Sequence, residues 1–272
     1  MPITVKAYPT LGEVASALAA DRSARFLAGG TLVMRAINEG DMSFSTVVRS
    51  TDRGFVEIRP SGARITLGAG VTMGQIMAHR ELTFLHPVAR AVGGPAIRNM
   101  ATVGGNLFAP APYGDFTAAL LALDAAVSTQ GSYGGRETPL EEFLSNRDRN
   151  SGGLVASITF NQPAHPEAFR FRKVARVKPK GISVLSIAAH LPMNAGRLTG
   201  VRVAYGAMAL TPIRAKAVER ALEGRTLDEA GIAPALAVAA EGTSPATDAL
   251  SSAWYRREMV AVHLKRLLLG TA

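Results

Sequence analysis

Residues 26–40 read FLAGGTLVMRAINEG and place two glycines between a short apolar segment and a helical one. A strand predicted over 24–28 runs into Gly29 and Gly30, and a helix is predicted over 32–38. Because glycine has no side chain, such a turn lets the backbone approach a ligand closely and point several N–H groups in one direction. The helix that follows adds the positive end of its dipole. The stretch therefore predicts a strand–turn–helix unit that can hold an anionic group without a basic side chain.

A second pair of glycines lies in the stretch 97–125, which reads IRNMATVGGNLFAPAPYGDFTAALLALDA. Thr102 comes shortly before Gly104 and Gly105, and Asn106 follows them directly. Each pair alone is more typical of a tight turn chosen for packing than of a ligand site. Two such loops in one α/β region, each edged by a threonine, indicate that both face one elongated anionic ligand.

The usual nucleotide-binding motifs are missing from the sequence. No G-x-G-x-x-G turn stands between a first strand and its helix, and no Gly-Lys-Ser/Thr marks a phosphate-binding P-loop. A nucleotide site in this chain must therefore draw on two distant places in the sequence.

The composition limits the roles that are open to the chain. Its 272 residues are 47% hydrophobic and 19% charged, which is enough for a substantial core and for two domains. Cysteine is absent, so the chain cannot bind an iron–sulfur cluster through thiolates. The start, MPITVKAYPT, lacks the apolar core of a secretory signal, and no apolar run approaches the roughly 20 residues of a membrane span. We therefore expect a cytoplasmic protein without a membrane span.

The formal net charge is +9, from 30 Lys and Arg against 21 Asp and Glu. Such a surface can attract nucleic acid, an anionic cofactor or an acidic partner protein. The densest group of cations lies in 170–180, where only Phe169 and Phe171 are available to stack on bases. We therefore expect no nucleic-acid ligand.

The order of predicted elements changes near residues 162–166, which contain two prolines. An α/β part precedes this point, and a part with strands first and helices last follows it. We predict a first domain over 1–163, with subdomains of about 1–54 and 55–163, and a second domain over 167–272. The closing helices are predicted near 215–222, 233–241 and 253–269.

Both quoted stretches resemble the flavin subunit of molybdenum hydroxylases, a family that includes the medium chain of aerobic carbon monoxide dehydrogenase and the FAD subunit of xanthine dehydrogenase. FRKVAR (171–176), ISVLSIAAHL (182–191) and the closing helices are similar to that family's C-terminal flavoprotein domain. The resemblance implies an α+β chain. A two-subdomain FAD-binding fold of the vanillyl-alcohol-oxidase (PCMH) type would be followed by a small antiparallel sheet with helices.

The resemblance also implies which residues bind the cofactor. The first glycine loop would wrap the FAD pyrophosphate, and the second would form the opposite wall. Asp115 would contact the adenosine or ribityl part, Lys173 would stabilise negative charge on the isoalloxazine, and Leu154 would lie near the adenine or the ring edge. The full set is Ala28, Gly29, Gly30, Thr31, Leu32, Val33, Thr102, Val103, Gly104, Gly105, Asn106, Asp115, Leu154 and Lys173.

Three residues also have an ordinary structural interpretation. Lys173 is otherwise a solvated lysine among neighbouring cations. Asp115 is also expected as the N-cap of a helix over 116–123, a role that is compatible with a ligand contact. Tyr113, in the proline-rich loop 110–114, either covers the flavin ring or simply packs that loop. None of the five histidines has metal-ligand spacing or lies beside a glycine loop, so we expect neither a metal site nor a covalent flavin link.

The resemblance implies a large molybdenum-cofactor subunit and a small [2Fe–2S] subunit as partners, in a heterotrimer or a dimer of heterotrimers. Electrons would pass from the small subunit through FAD to NAD⁺, a quinone, oxygen or another acceptor, and no catalytic residue is expected in this chain. Two alternatives stay open. One is a stand-alone flavin oxidase, which the modest length and the lack of a substrate-cap segment disfavour. The other is a nucleotide-binding regulatory or scaffold protein without redox activity.

Overall fold

The computed structural model describes residues 3–131, 134–147, 154–177 and 181–271. They form a mixed fold of sheets and helices, which confirms the predicted α+β class. Within these ranges, no helix combines the length and the apolar character that crossing a membrane requires.

The first region is a small parallel sheet with two flanking helices. Its elements are β1 (Thr4–Tyr8), α1 (Leu11–Ala20), β2 (Ala24–Phe26), α2 (Val33–Asn38) and β3 (Thr46–Ser50). The strand order is β1-β3-β2, so β2 lies at an edge and its carboxyl end leads into the first glycine pair. Thr10 and Glu13 form a capping box at the start of α1, because each side chain accepts the other residue's backbone N–H.

The second region is an antiparallel sheet covered by short helices. Its strands are β4 (Ile58–Ser61), β5 (Arg64–Gly68), β6 (Ala126–Gly131), β7 (Gly134–Pro139) and β8 (Leu154–Asn161). Its helices are α3 (Met73–Ala78), α4 (His86–Ala91), α5 (Pro95–Arg98), α6 (Val103–Asn106), α7 (Asp115–Ala122) and α8 (Leu140–Ser145). The strand order is β4-β5-β8-β6-β7. β7 carries no apolar alternation that the sequence could reveal, and it becomes a strand by pairing with β6.

The third region is an antiparallel sheet followed by helices. Its strands are β9 (Phe169–Ala175), β10 (Ser183–His190), β11 (Met193–Asn194), β12 (Arg197–Leu198), β13 (Arg202–Gly206) and β14 (Ile213–Arg214). Its helices are α9 (Lys216–Leu222), α10 (Glu229–Ala237) and α11 (Ala253–Leu269). The larger sheet has the order β14-β13-β10-β9. α10 begins four residues before the predicted helix at 233, because the Asp228 carboxylate caps it by accepting the Gly231 N–H at 2.8 Å.

Helix α7 joins the second and third regions. Every one of its residues is buried, and it packs against α4 on one side and against β10 and β13 on the other. Apart from Asp115 and Thr117 its residues are apolar, as expected of a helix that has no solvent face. α7 therefore sets the position of the third region against the second.

Ion pairs also lie at the seam, which is the contact between the second and third regions around α7. Asp124 pairs with Arg202 at 2.7 Å and with Arg214 at 3.5 Å, and Glu141 pairs with Lys216 at 2.7 Å. The hydrogen bond from Arg202 holds the pKa of the Asp124 carboxyl below its usual range. In each pair the carboxylate lies before residue 163 and the cation lies after it. These charges therefore favour one arrangement of the third region against the second.

Arg256 of α11 is a charged side chain inside the third region, with 1% of its surface exposed. Its Nε donates to the Val184 carbonyl at 2.8 Å, and its Nη2 donates to Asp248 Oδ2 at 2.8 Å. Nη1 donates to the carbonyls of Ala246 and Ser251. The guanidinium therefore fixes the loop before α11 to strand β10.

We expect Arg256→Ala to lower the free energy of unfolding by about 3 kcal/mol, because it leaves a carboxylate and several carbonyls without a donor. Urea unfolding followed by circular dichroism measures the change. Arg257→Ala, at the exposed neighbouring position, is the control and should have little effect. Equal stability of the two variants would contradict this role for Arg256.

Candidate functional site

The turn between β2 and α2 leaves a row of backbone N–H groups free. The Leu27 N–H bonds to the Val48 carbonyl at 2.7 Å, and the Met34 N–H bonds to the Gly30 carbonyl at 2.8 Å. Between these two bonds, the N–H groups of residues 28–33 have no acceptor anywhere in the described part of the chain. Gly30 has a φ of +74°, which turns the backbone as few other residues can. Consecutive unpaired amides of this kind form an anion-binding concavity.

The first glycine loop lies directly on the segment that leads into the second. A Cβ on Gly29 would overlap the carbonyl oxygen of Met100 and would lie 2.6 Å from its carbonyl carbon. The same Cβ would be 3.1 Å from Thr102 Cγ2. The structure thus brings together two loops that are about seventy residues apart in the chain. Gly29 is needed here for a contact between two parts of the protein itself, whereas the sequence suggested a contact with a ligand.

The second glycine loop differs from the first because its amides are already used. Thr102 caps α6, and the next four N–H groups all have protein acceptors. The bonds run from Val103 to Val71 O (2.8 Å), from Gly104 to Ala69 O (2.8 Å), from Gly105 to Thr102 Oγ1 (3.0 Å) and from Asn106 to Thr102 O (3.0 Å). A Cβ on Gly104 would lie 2.7 Å from the Cβ of Ala69. These glycines let α6 pack on the end of β5, so this loop supplies a shaped wall and not a second row of free amides.

Asn106 connects this wall to α7. Its Oδ1 accepts hydrogen bonds from the Thr117 N–H at 2.9 Å and from the Thr117 hydroxyl at 3.0 Å. The same hydroxyl also reaches the Asn106 carbonyl at 3.0 Å. The Asn106 Nδ2 group has no acceptor among the described residues, so it is the part of this side chain that a ligand could use.

Asp115 and Lys173 form a buried ion pair between α7 and β9. Lys173 Nζ lies 2.9 Å from Asp115 Oδ2, and the two side chains are 14% and 7% exposed. Asp115 Oδ1 accepts a 2.6 Å hydrogen bond from Ser183 Oγ, and Lys173 Nζ donates to the Ala91 carbonyl at 2.8 Å. The alternative of a solvated Lys173 is therefore wrong. Asp115 is the first residue of its helix, with Gly114 at the N-cap position, so the predicted N-cap role is wrong as well.

Leu154 begins β8 inside an apolar cluster with Val14, Ala24 and Val48. Only 6% of the residue is exposed. A side chain so covered has little surface to offer a ligand, and its place in the structure is first of all a packing role.

Tyr113 contacts Arg35, which no sequence pattern marked as a site residue. Its hydroxyl accepts a 3.2 Å hydrogen bond from Arg35 Nη1, and Arg35 Nε also binds Glu39 at 2.8 Å. The bonds to Glu39 and then to Tyr113 raise the pKa of the Arg35 guanidinium. Arg35 lies on α2 and Tyr113 in the loop before α7, so only the folded chain relates them.

The arrangement suits binding better than bond-making chemistry. The first loop offers free amides beside a second loop of small residues, and a buried lysine on β9 pairs with the first residue of α7. In the part of the chain that the structure describes, no group of His, Asp and Glu is placed to hold a metal ion.

Comparisons with known proteins cover nearly the whole chain. Residues 5–162 match the model of the FAD binding domain in molybdopterin dehydrogenase, and residues 170–271 match that of the CO dehydrogenase flavoprotein C-terminal domain. The carbon monoxide dehydrogenase medium chain of Afipia carboxidovorans is 28% identical over 89% of this chain and 87% of its own length. The putative xanthine dehydrogenase FAD-binding subunit of Escherichia coli is 29% identical over 80% of this chain and 78% of its own length.

Solved structures show the same fold. A chain of carbon monoxide dehydrogenase from Hydrogenophaga pseudoflava superposes with a TM-score of 0.91 at 22% identity, covering 98% of this chain and 96% of the other. A chain of quinoline 2-oxidoreductase from Pseudomonas putida 86 gives a TM-score of 0.86 at 26% identity, covering 100% of this chain and 97% of the other.

We expect Gly29→Ala to remove FAD binding, because the new methyl group forces the first loop away from Met100 and spreads the amides. Flavin content per chain after purification measures the effect. Gly12→Ala is the matched control, since a Cβ there meets nothing closer than 4.0 Å and the residue lies in α1. Full flavin content in Gly29→Ala would show that the contact between the loops does not shape the site.

Proposed function

Because the chain belongs to the family of FAD-binding subunits of molybdopterin dehydrogenases, we propose that it holds FAD between its two glycine loops and relays electrons within a larger oxidoreductase. The row of unpaired amides over 28–33, placed against the second loop, is the observation that supports this location most directly. We propose the domain limits as 1–163, with subdomains meeting near residue 54, and 167–272.

The residues present fit a diphosphate on the first loop. Six consecutive N–H groups, from Ala28 to Val33, can donate to phosphate oxygens without any change in the protein's own hydrogen bonds. α2 is only six residues long, so the amides contribute more to this binding than its dipole does. Thr31 and Leu32 would continue the same cradle toward the helix.

The second glycine loop, together with Asp115 and Lys173 at the seam, would complete the site. We propose that Thr102, Val103, Gly104 and Gly105 contribute chiefly the shape of the opposite wall, and that Asn106 contributes its free amide nitrogen. Asp115 would act through Lys173, because both of its carboxylate oxygens already accept protein hydrogen bonds. Leu154 would support the fold under the site.

Bound FAD would supply the electron transfer, accepting electrons from an iron–sulfur cluster and passing them to an external acceptor. The chain has no cysteine, so a cluster held by thiolates must reside on another subunit. The chain's own residues would bind and orient the cofactor and set the charge around it. This division of work leaves no catalytic residue in the chain.

The partners follow from the same family. Related chains are named as medium chains or FAD subunits of enzymes that act on different substrates, which fits a subunit that does not touch the organic substrate. We propose a cytoplasmic complex with a large molybdenum-cofactor subunit and a small [2Fe–2S] subunit, as a heterotrimer or a dimer of heterotrimers. The net charge of +9 favours acidic partner surfaces.

The purified chain should show the visible absorption bands of oxidised flavin and should be bleached by dithionite. It should not be bleached by carbon monoxide, an aldehyde, a purine or an N-heteroaromatic compound until the other two subunits are added. Anaerobic absorbance titration makes the measurement. Bleaching of the isolated chain by one of these substrates would favour a stand-alone flavin oxidase, and a colourless chain that takes up no FAD would favour a regulatory or scaffold protein.

Substitutions of Lys173 and Asp115, the two members of the buried pair, should shift the flavin midpoint potential in opposite directions. Lys173→Met should lower the flavin midpoint potential, because it removes a cation near the ring, by roughly 30 mV, which for a two-electron couple is about 1.4 kcal/mol. Asp115→Asn should raise the potential, because it leaves the charge of Lys173 uncompensated. Spectroelectrochemical titration of the holoprotein gives both values.

Shifts of opposite sign in the midpoint potential distinguish an electrostatic role of the pair from a simple loss of packing. Lys216→Met, at an exposed ion pair with Glu141, is the control and should leave the potential unchanged. Shifts of the same sign in Lys173→Met and Asp115→Asn would contradict the placement of Lys173 beside the ring.

A further inference from the structure

The cleft is the space between the two glycine loops. Its first wall, residues 29–35, contacts the stretch 100–113 at both ends of that segment. At one end Gly29 rests on the Met100 carbonyl. At the other end Arg35 of α2 donates a hydrogen bond to the Tyr113 hydroxyl at 3.2 Å. The free amides of residues 30–33 lie between these two contacts along the chain, so a ligand bound to them lies next to one backbone contact and one side-chain contact.

The side-chain contact is not explained by stability. The Arg35 side chain is 57% exposed, and hydrogen bonds and ion pairs at exposed positions add little to folding because water competes for both groups. Glu39, one turn further along α2, already pairs with Arg35 at 2.8 Å. The reach of Arg35 across to Tyr113 therefore calls for another explanation.

Tyr113 is held in place from its own side of the cleft. Its N–H bonds to the Pro110 carbonyl at 2.8 Å, which closes a tight turn. The next residue, Gly114, has a φ of +109°, and a Cβ there would lie 3.1 Å from Pro212 Cγ. The loop over 110–114 is thus braced against the third region, while Arg35 extends from a short helix on an exposed side chain. Of the two partners, Arg35 is the one that is free to move.

Arg35 also retains donors for an anion. A guanidinium has five N–H groups, and in the described structure Arg35 uses its Nε for Glu39 and one Nη1 hydrogen for Tyr113. Arg35 is two residues beyond Val33, the last residue in the row of free amides. An arginine in this place can add a charge-assisted hydrogen bond to a phosphate that the amides already hold.

We propose that Arg35 and Tyr113 form a strap that closes the cleft over the bound FAD and must open for the cofactor to enter or leave. The inference rests on the proposed function, since it takes the diphosphate of FAD as the ligand of the free amides. The strap retains the cofactor, so its main effect is on the rate of FAD dissociation.

Arg35→Gln and Tyr113→Phe should each raise the FAD dissociation rate several-fold, and roughly tenfold would correspond to the loss of one good hydrogen bond. The double variant should dissociate no faster than the faster single variant, because both substitutions break the same contact. The rate is read from the recovery of flavin fluorescence after dilution of the holoprotein. Iodide quenching of the bound flavin should increase in the same variants.

Arg220→Gln on α9 and Tyr255→Phe on α11 make the same chemical changes at exposed positions and serve as controls. The melting temperatures of the apoproteins should be alike in all variants. FAD dissociation from Arg35→Gln and Tyr113→Phe at the rate of the controls, or effects that add fully in the double variant, would overturn the strap. Failure of the proposed function looks different, because the wild-type chain would then take up no FAD at all.

Discussion

The shape of the candidate site depends on one close contact between two backbone segments. Gly29 touches the Met100 peptide, and any other residue would drive the two segments apart. This contact joins a turn from the parallel sheet to a loop that packs on the antiparallel sheet. The edge-to-face pair of Phe26 and Phe55, with ring centroids 5.6 Å apart, connects the same two regions. The cleft exists because these two regions approach closely at one point while the amides beside that point stay unpaired.

The third region is positioned by a different kind of interaction. Helix α7 is buried on all sides, and its first residue, Asp115, brings a carboxylate into the seam, where Lys173 and Ser183 satisfy it. A buried charge is tolerated only when it is paired and hydrogen-bonded, so this arrangement strongly disfavours other dockings of the third region. Asn106 extends the connection to the second glycine loop through Thr117. A continuous series of contacts thus links the wall of the cleft to the lysine that we place beside the flavin.

The two glycine pairs look alike in sequence but do different work. In the first, Gly30 turns the backbone and six amides stay free. In the second, Gly104 allows α6 to approach Ala69, and the amides donate hydrogen bonds to other groups of the protein. A glycine pair permits close approach, but it does not say whether a ligand or another piece of the chain makes that approach. The family resemblance placed both loops at one cofactor, and the hydrogen bonds divide the roles between them.

Local sequence patterns were enough to predict several elements and the family. The capping box at Thr10 and Glu13, strand β10 and helix α11 follow from nearby residues, and the two glycine stretches sufficed to identify the flavoprotein family. Three features depend on the folded chain: β7 is a strand, Asp115 pairs with Lys173, and Arg35 contacts Tyr113. Caps and periodic patterns depend on residues within one or two turns, so a linear sequence displays them. Partners that lie 58 and 78 positions apart meet only because sheets and a buried helix bring them together, and no local pattern records that meeting.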